Sequence, residues 1–130
     1  MSRKIGTDSK CLQGALPAIA LTGHTPLSTA FMNDVDPQMI FAQQVYGYCQ
    51  RGDTFLGMST SGNSKNVVKE AKVAKALGLK DIAMTGTDGG ELSRISDVLV
   101  NVPGETTADI QEYHLPIYHT LCAMLEEKFF

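Results

Sequence analysis

The sequence predicts an α/β domain of three layers, in which a parallel β-sheet is flanked by helices. Short apolar runs alternate along the chain with stretches whose apolar residues recur at helical spacing. The runs are continuous rather than alternately apolar and polar, which is typical of parallel strands covered on both faces. A chain of 130 residues has the size of one domain, so we expect a single domain over residues 1–130.

Four strands are predicted, at residues 17–23, 54–59, 81–86 and 97–103. Helices are predicted at residues 37–50, 67–77 and 109–130, with a shorter one at 92–95. Thr106 or Thr107 is a suitable N-cap for the last helix. Strands and helices therefore alternate along the chain, which is the order expected of an α/β fold.

The loop after the second strand has the composition of a phosphate site. Ser59, Thr60, Ser61 and Ser64 supply four hydroxyls, and Gly62 permits a sharp turn. The helix that follows directs unpaired N–H groups and the positive end of its dipole at the same place. No lysine stands where a nucleotide-binding P-loop requires one, so the pattern favours a compact phosphate monoester such as a sugar phosphate.

The alternative interpretation of this segment is an ordinary polar loop in which the serines and Asn63 cap the following helix. Capping normally uses one side-chain oxygen, and this loop offers more. The next strand ends in GTDGGE, where we interpret Gly86, Gly89 and Gly90 as residues that allow a tight turn with positive φ. In open α/β sheets ligands bind at the carboxyl ends of the strands, so both loops should lie at that edge.

The start of the last helix is the second candidate site. Asp109, Gln111, Glu112, His114 and His119 fall within eleven residues. Aldose–ketose isomerisation needs a base and a proton shuttle, and carboxylates and imidazoles perform both tasks near neutral pH. Alternatively, the two histidines lie at the surface or an interface, and the glutamate is a solvated carboxylate near a helix amino terminus.

The composition of the chain argues against two classes of binding partner, nucleic acid and membrane. A formal net charge of −3 and scattered lysines and arginines argue against nucleic acid. No apolar run approaches the roughly 20 residues of a membrane span, so we expect no membrane insertion. Cys11, Cys49 and Cys122 are odd in number and far apart, which is typical of reduced thiols in a cytoplasmic protein.

Several motifs together resemble the sugar isomerase (SIS) domain family, most closely its phosphoheptose isomerase branch. They are LPAIALTG, FMNDVD with FAQQV, GDTFLGMSTSGNSKNV, IAMTGTDGG, VPGETT and IQEYHLPIYHTLCAMLEE, in the order of the family. The resemblance implies a five-stranded parallel sheet and conversion of sedoheptulose 7-phosphate to D-glycero-D-manno-heptose 7-phosphate. It also implies a homotetramer with sites at subunit interfaces, and the apolar carboxyl-terminal end is compatible with burial against a partner.

The same resemblance implies roles for individual residues. Ser59, Thr60, Ser61 and Ser64 would hold the phosphate, and Asp34 would lie near the sugar. His119 matches the catalytic histidine of the family. Gln111 and His119 match two of the four ligands of a zinc ion found in some members. In a straight helix these two residues are separated by about 12 Å of rise, so a shared metal requires Gln111 to precede the helix, or the oligomer to combine them.

The sequence also departs from the family pattern. It has no counterpart of the amino-terminal helix, of the first strand with its GNGGS-type loop, or of the helix that carries a histidine and a glutamate. That strand would lie between the strands that contain Ala20 and Leu56. We expect the sequence to be part of a longer enzyme; the alternative is a short form whose flanking strands pair directly or borrow a strand. Such a module would bind sugar phosphate as a sensor, or associate with the replication initiator, without isomerising.

Overall fold

The computed structural model of the protein describes residues 14–130. Its helices and strands are α1 (Thr25–Asp34), α2 (Ile40–Tyr48), β1 (Thr54–Ser59), α3 (Lys65–Leu77), β2 (Lys80–Thr85), β3 (Val98–Asn101) and α4 (Thr107–Phe129). Short 3-10 turns occur at Leu21–Gly23, Pro37–Met39 and Leu92–Arg94. Among these residues, no helix combines the length and the hydropathy needed to cross a membrane.

The three strands form one parallel sheet in the order β1-β2-β3. Thr54 pairs with Lys80 at one end of β1, and Ser59 pairs with Thr85 at the other. The predicted α/β class is confirmed, and three of the four predicted strands form close to their expected bounds. Because the strands are parallel and in register, the loops after β1 and β2 leave the sheet at the same edge.

The predicted strand at residues 17–23 is wrong. This segment ends in the turn Leu21–Gly23, in which the Gly23 N–H donates to the Ala20 carbonyl at 2.9 Å. The segment is mostly exposed, and the Ile19 side chain is 66% exposed. A strand needs a neighbour for its N–H and C=O groups, and within residues 14–130 no further strand pairs with β1. The flanking strands therefore do not pair directly.

Helix α1 was not predicted. Its N-cap is His24, whose Nδ1 accepts the Leu27 N–H at 3.3 Å, and Pro26 stands in the first turn. The helix has no fully buried residue, so it lacks the clear apolar stripe on which a prediction from spacing depends. A proline in a first turn is a start signal that could have indicated it.

The main core lies between one face of the sheet and helices α2 and α3. Its buried residues come from both layers and include Val45, Phe55, Val67, Val68, Ala71, Ala74, Leu79, Ala83 and Leu92. On the opposite face of the sheet, Leu56, Met58 and Val98 are 41%, 51% and 52% exposed. The apolar sequence of the strands predicts that helices cover both faces of the sheet. In the described residues, only the face that packs against α2 and α3 is fully covered.

Two acidic side chains are buried within this core, at the end of the sheet away from the phosphate loop. Glu70 of α3 is 6% exposed and Asp81 of β2 is 1% exposed. Burial, reinforced by the charge of Asp81, raises the pKa of Glu70 to about 8. Burial likewise raises the pKa of Asp81, although the Ser96 hydroxyl opposes that shift. Glu70 is therefore largely protonated at neutral pH in the folded protein.

This pKa predicts that the folded protein loses stability as the pH rises. Glu70 has an ordinary pKa of 4.5 and a folded pKa of about 8, so the folded state holds the extra proton between these values. The free energy of unfolding should fall by roughly 1 kcal/mol per pH unit across that window. Glu70→Gln should remove this dependence and exceed the wild type in stability at pH 9, as measured by urea unfolding at pH 6 and pH 9. The exposed Glu126→Gln is the control, and equal pH slopes in all three proteins would contradict the prediction.

Candidate functional site

The loop between β1 and α3, residues 60–64, is folded tightly on itself, and we call it the phosphate loop. The Ser59 hydroxyl is buried and donates to the Ser64 hydroxyl at 2.9 Å. The Gly62 N–H donates to the Ser59 carbonyl at 2.9 Å, and the Asn63 N–H donates to the Ser61 hydroxyl at 3.2 Å. Ser61 is exposed, and Thr60 and Ser64 are half-buried, so these three hydroxyls are the ones that a ligand can reach.

No side chain in the described part of the protein caps the amino terminus of α3. Ser64 occupies the N-cap position, but its side chain makes no capping bond, and Asn63 instead donates to the Ser61 carbonyl at 3.0 Å. The interpretation of the loop as an ordinary helix cap is therefore wrong. The N–H groups of the first turn of α3 remain available to an anion beside the Ser61 and Ser64 hydroxyls.

A second loop, residues 86–91, supports the phosphate loop, and we call it the glycine loop. The Leu92 N–H donates to the Gly62 carbonyl at 3.1 Å, and the Glu91 N–H donates to Asn63 Oδ1 at 2.9 Å. A Cβ on Gly62 would lie 2.1 Å from the Gly89 carbonyl oxygen. The two loops are therefore in backbone contact, which is possible only because Gly62 has no side chain.

The predicted role of the glycines in this second loop is partly confirmed. Gly89 and Gly90 have φ of 69° and 52°, as a tight turn requires. Gly86 has no positive φ; a Cβ there would instead lie 2.6 Å from Ile110 Cδ1. The supporting role of the loop was missed, although its position after the strand next to β1 was a signal for it.

Helix α4 begins at a complete capping box. Thr106 is the N-cap; its hydroxyl accepts the Asp109 N–H at 3.2 Å, and Asp109 Oδ2 accepts the Thr106 N–H at 3.1 Å. The Thr106 hydroxyl and N–H lower the pKa of Asp109. Of the two predicted caps, Thr106 is thus confirmed, and Asp109 serves the helix terminus. The helix continues through Pro116 to Phe129.

The remaining candidates on α4 have different environments. Gln111, Glu112 and His119 are exposed, whereas His114 is 5% exposed. Nε2 of His114 lies 3.2 Å from the Thr85 carbonyl oxygen at the end of β2. The interpretation of His114 as a surface histidine is therefore wrong, because its side chain is buried against the end of β2.

His119 lies on another side of α4. At 100° per residue it is about 140° around the helix from His114 and about 180° from Ile110, the second buried residue of α4. Glu112 stands seven residues before His119 and so shares its side of the helix. Within residues 14–130, His119 is exposed and makes no hydrogen bond to the phosphate loop.

Asp34 is the last residue of α1 and is exposed. The nearby Asp36, which the sequence did not single out, makes more contacts. It accepts the Gln38 N–H at 2.8 Å and pairs with Lys69 of α3 at 2.9 Å, and these bonds lower its pKa. Asp36 therefore joins the segment after α1 to the helix that begins at the phosphate loop.

The residues that the structure describes do not by themselves fit a zinc ion. Gln111 lies inside α4, so its separation from His119 along the helix axis is about 12 Å. Within residues 14–130 no group of three or more histidine, cysteine, aspartate or glutamate side chains could hold a metal. Zinc usually takes four protein ligands, or three and a water.

Two surface cavities lie outside the phosphate loop. One of about 500 Å³ is lined by residues that include Ile19, His24 and Gln44. The other, of about 410 Å³, is lined by residues that include Glu105, Glu112 and Tyr113. Backbone amides and hydroxyls at a helix terminus bind anions at the surface, so the phosphate loop needs no deep cavity.

Comparison with known proteins agrees with this architecture. The family model described as SIS domain matches residues 3–86, which is more than half of the chain and includes the phosphate loop. The chain belongs to the SIS domain family. That membership confirms the family resemblance seen in the sequence motifs, and the parallel sheet observed here is the part of the SIS fold that the chain contains.

Relatives of this SIS protein include phosphoheptose isomerases. A probable phosphoheptose isomerase of Thermoplasma acidophilum is 46% identical over 114 residues, which cover 88% of this chain and 63% of that protein. The Nitratiruptor phosphoheptose isomerase is 44% identical, covering 88% and 62%. The structure of phosphoheptose isomerase GmhA from Neisseria gonorrhoeae matches with a TM-score of 0.79 and 41% identity, over 82% of this chain and 60% of that one. This SIS chain thus spans about 60% of the length of these relatives.

Proposed function

We propose that the chain is the phosphate-binding part of a phosphoheptose isomerase that converts sedoheptulose 7-phosphate to D-glycero-D-manno-heptose 7-phosphate. The observation that carries the proposal is the phosphate loop, in which accessible Ser61 and Ser64 hydroxyls stand beside the uncapped amino terminus of α3. Phosphoheptose isomerases that are 40–46% identical to the chain support the choice of substrate.

In this proposal the phosphate of the sugar lies against the amides of α3 and accepts hydrogen bonds from Ser61 and Ser64, with Thr60 beside them. Ser59 acts indirectly, because its buried hydroxyl donates to Ser64 and orients it. Asp34 and Gln111 are assigned to the sugar hydroxyls. A doubly charged phosphate gains most from such charge-assisted hydrogen bonds.

The reaction itself is a transfer of hydrogen between neighbouring carbons. A base removes a proton from C1 of the ketose, the electron pair of that bond forms the C1–C2 double bond, and the C2 carbonyl oxygen takes a proton. The resulting enediol loses its O1 proton while C2 gains one, which gives the aldose. We assign the proton transfers between hydroxyl oxygens to His119, because imidazole exchanges protons near neutral pH.

We also propose that the complete site combines more than one copy of the chain. His119 faces away from the side of α4 that contacts its own sheet, so it can act on a sugar held by another subunit. Exposed apolar residues on α4, including Leu121, Met124, Leu125 and Phe129, support such an association. Four subunits are the state we infer from the family resemblance.

In this proposal zinc is bound by ligands from more than one source and takes no assigned part in the reaction. Gln111 of one copy and His119 of another can supply two ligands, and the remaining ligands would come from outside the described residues. No step of the reaction is assigned to the metal.

We infer a cytoplasmic location because Cys49 and Cys122 are free thiols.

A second candidate function is sugar phosphate binding without isomerisation, as in a sensor. It is supported by the phosphate loop, which one chain forms by itself, whereas His119 is exposed on a different side of α4 from the residues that contact the sheet. Both functions predict binding of sedoheptulose 7-phosphate, and they differ in whether the sugar exchanges hydrogen with solvent.

The test of the isomerase is a proton NMR time course of the chain with sedoheptulose 7-phosphate in D2O, with and without zinc. We expect deuterium to enter the sugar at C1, and His119→Asn to slow that exchange at least 100-fold. His24→Asn is the matched control, since asparagine also caps a helix and should leave the exchange rate unchanged. Exchange would support the isomerase, with Glu112, which shares a side of α4 with His119, as the base that we propose. Binding without exchange would favour the sensor. The absence of both binding and exchange would contradict both functions.

A further inference from the structure

The peptide group between Thr85 and Gly86 is hydrogen-bonded on both sides. A trans peptide is planar, so its C=O and N–H point in opposite directions. The Thr85 carbonyl faces α4 and lies 3.2 Å from Nε2 of His114. The Gly86 N–H faces the phosphate loop and donates to the Thr60 carbonyl at 2.9 Å. One rigid unit therefore joins helix α4 to the phosphate loop.

The state of the His114 ring follows from its partner. A carbonyl oxygen only accepts hydrogen bonds, so Nε2 must carry a proton. The Thr85 carbonyl also accepts the Val102 N–H at 3.0 Å, which uses its second lone pair. A peptide whose carbonyl accepts hydrogen bonds is polarised and donates a stronger one through its N–H. The His114 contact therefore strengthens the bond from Gly86 to Thr60.

Helix α4 has few other contacts that could set its position. Ile110 and His114 are its only buried residues in the structure described here. Ile110 packs at the same place, because a Cβ on Gly86 would lie 2.6 Å from Ile110 Cδ1 and one on Gly104 would lie 2.8 Å from Ile110 Cγ1. The apolar contact brings the helix close, and the directional bond of His114 sets its rotation.

We propose that His114 is a positioning residue, which fixes α4 against the phosphate loop through the Thr85–Gly86 peptide. It does not touch the substrate. Its consequence for the reaction rests on the proposed function, because Gln111 and His119 of the same helix are the residues that it orients. The link between helix and loop is a separate claim and can be measured in the absence of any ligand.

The test compares two substitutions of His114 by the amide exchange and chemical shift of Gly86 in nitrogen-15 NMR spectra. His114→Leu fills the space without a donor, and His114→Gln restores an N–H at a similar reach. We expect Gly86 to exchange at least 10-fold faster in the leucine variant, with shifted Gly62 and Gly86 signals, and glutamine to restore most of the protection. Tyr113→Leu, at the neighbouring exposed position, should leave both signals unchanged.

Several results would overturn the inference. One is a leucine variant whose Gly86 exchange and shift equal those of the wild type. Another is faster exchange throughout β1 and β2 that glutamine does not reverse, since that is general destabilisation. If the leucine variant fails to fold, a folded glutamine variant with an unprotected Gly86 contradicts the claim, and a protected one supports it.

Sugar binding is measured in the same samples by titration with sedoheptulose 7-phosphate. We expect its dissociation constant to rise about 10-fold in His114→Leu and to recover in His114→Gln. A wild type that does not bind the sugar would refute the proposed function, while the Gly86 comparison would still decide the role of His114.

Discussion

Replacing Ser61 and Ser64 together by alanine is expected to weaken the binding of sedoheptulose 7-phosphate at least 100-fold. Each hydroxyl lost from a charged phosphate removes roughly 1.5–3 kcal/mol, so the pair removes about 3 kcal/mol or more. Ser61 is exposed and Ser64 is half-buried, and the hydrogen bonds that their hydroxyls accept are local to the loop, so the overall fold should remain intact. Isothermal titration calorimetry measures the affinity, and circular dichroism confirms the fold.

The matched control is Thr54→Ala, which removes a hydroxyl at the opposite end of β1. Thr54 is exposed and pairs with Lys80 at the edge of the sheet away from the phosphate loop. The control should bind the sugar phosphate as the wild type does. An unchanged affinity in the double serine variant would show that the phosphate binds elsewhere.

A Gly62→Ala substitution is expected to destabilise the protein by about 3 kcal/mol and to abolish sugar phosphate binding. Its φ of 65° costs an alanine roughly 1–2 kcal/mol, and the new Cβ would lie 2.1 Å from the Gly89 carbonyl oxygen. The phosphate loop and the glycine loop must then separate, which breaks the bond from the Leu92 N–H to the Gly62 carbonyl. Urea unfolding and a sugar phosphate titration measure the two effects.

Gly78→Ala separates backbone strain from the clash. Gly78 has a φ of 79°, close to that of Gly62, but its added Cβ would meet only the Arg51 side chain at 3.5 Å. This variant should lose roughly 1 kcal/mol and keep its affinity for sugar phosphate. Equal losses of stability at the two glycines would mean that the contact between the loops does not constrain the site.

Local sequence signals were sufficient to predict the bounds of elements that are marked by clear start or stop residues. The strand at 54–59 has its expected bounds, and Thr106 caps α4 as its sequence indicates. The strand predicted at residues 17–23 does not form. Its apolar composition is typical of a strand, but a strand also needs a neighbouring strand to bond its N–H and C=O groups. Helix α1 was missed for the opposite reason, since it buries little and so carries a weak apolar pattern.

The candidate site likewise has features that the sequence predicted and features that it did not. The hydroxyls of the phosphate loop were identified by their type and by their place between a strand and a helix. The support from the glycine loop was not, because residues 62 and 89 are far apart in sequence and meet only when β1 and β2 pair. The burial of Glu70 was hidden for a similar reason, since a glutamate in a helix normally faces water.

The sequence by itself determined the α/β class, the family, and the residue types available for chemistry, because these follow from local periodicity and from motifs contiguous in the chain. Only the tertiary structure decided which groups meet. It joined His114 to the Thr85 carbonyl, brought Gly62 against Gly89, and left His119 exposed on a different side of α4 from His114. Such contacts depend on strand register and helix rotation, which are set by packing among residues distant in sequence.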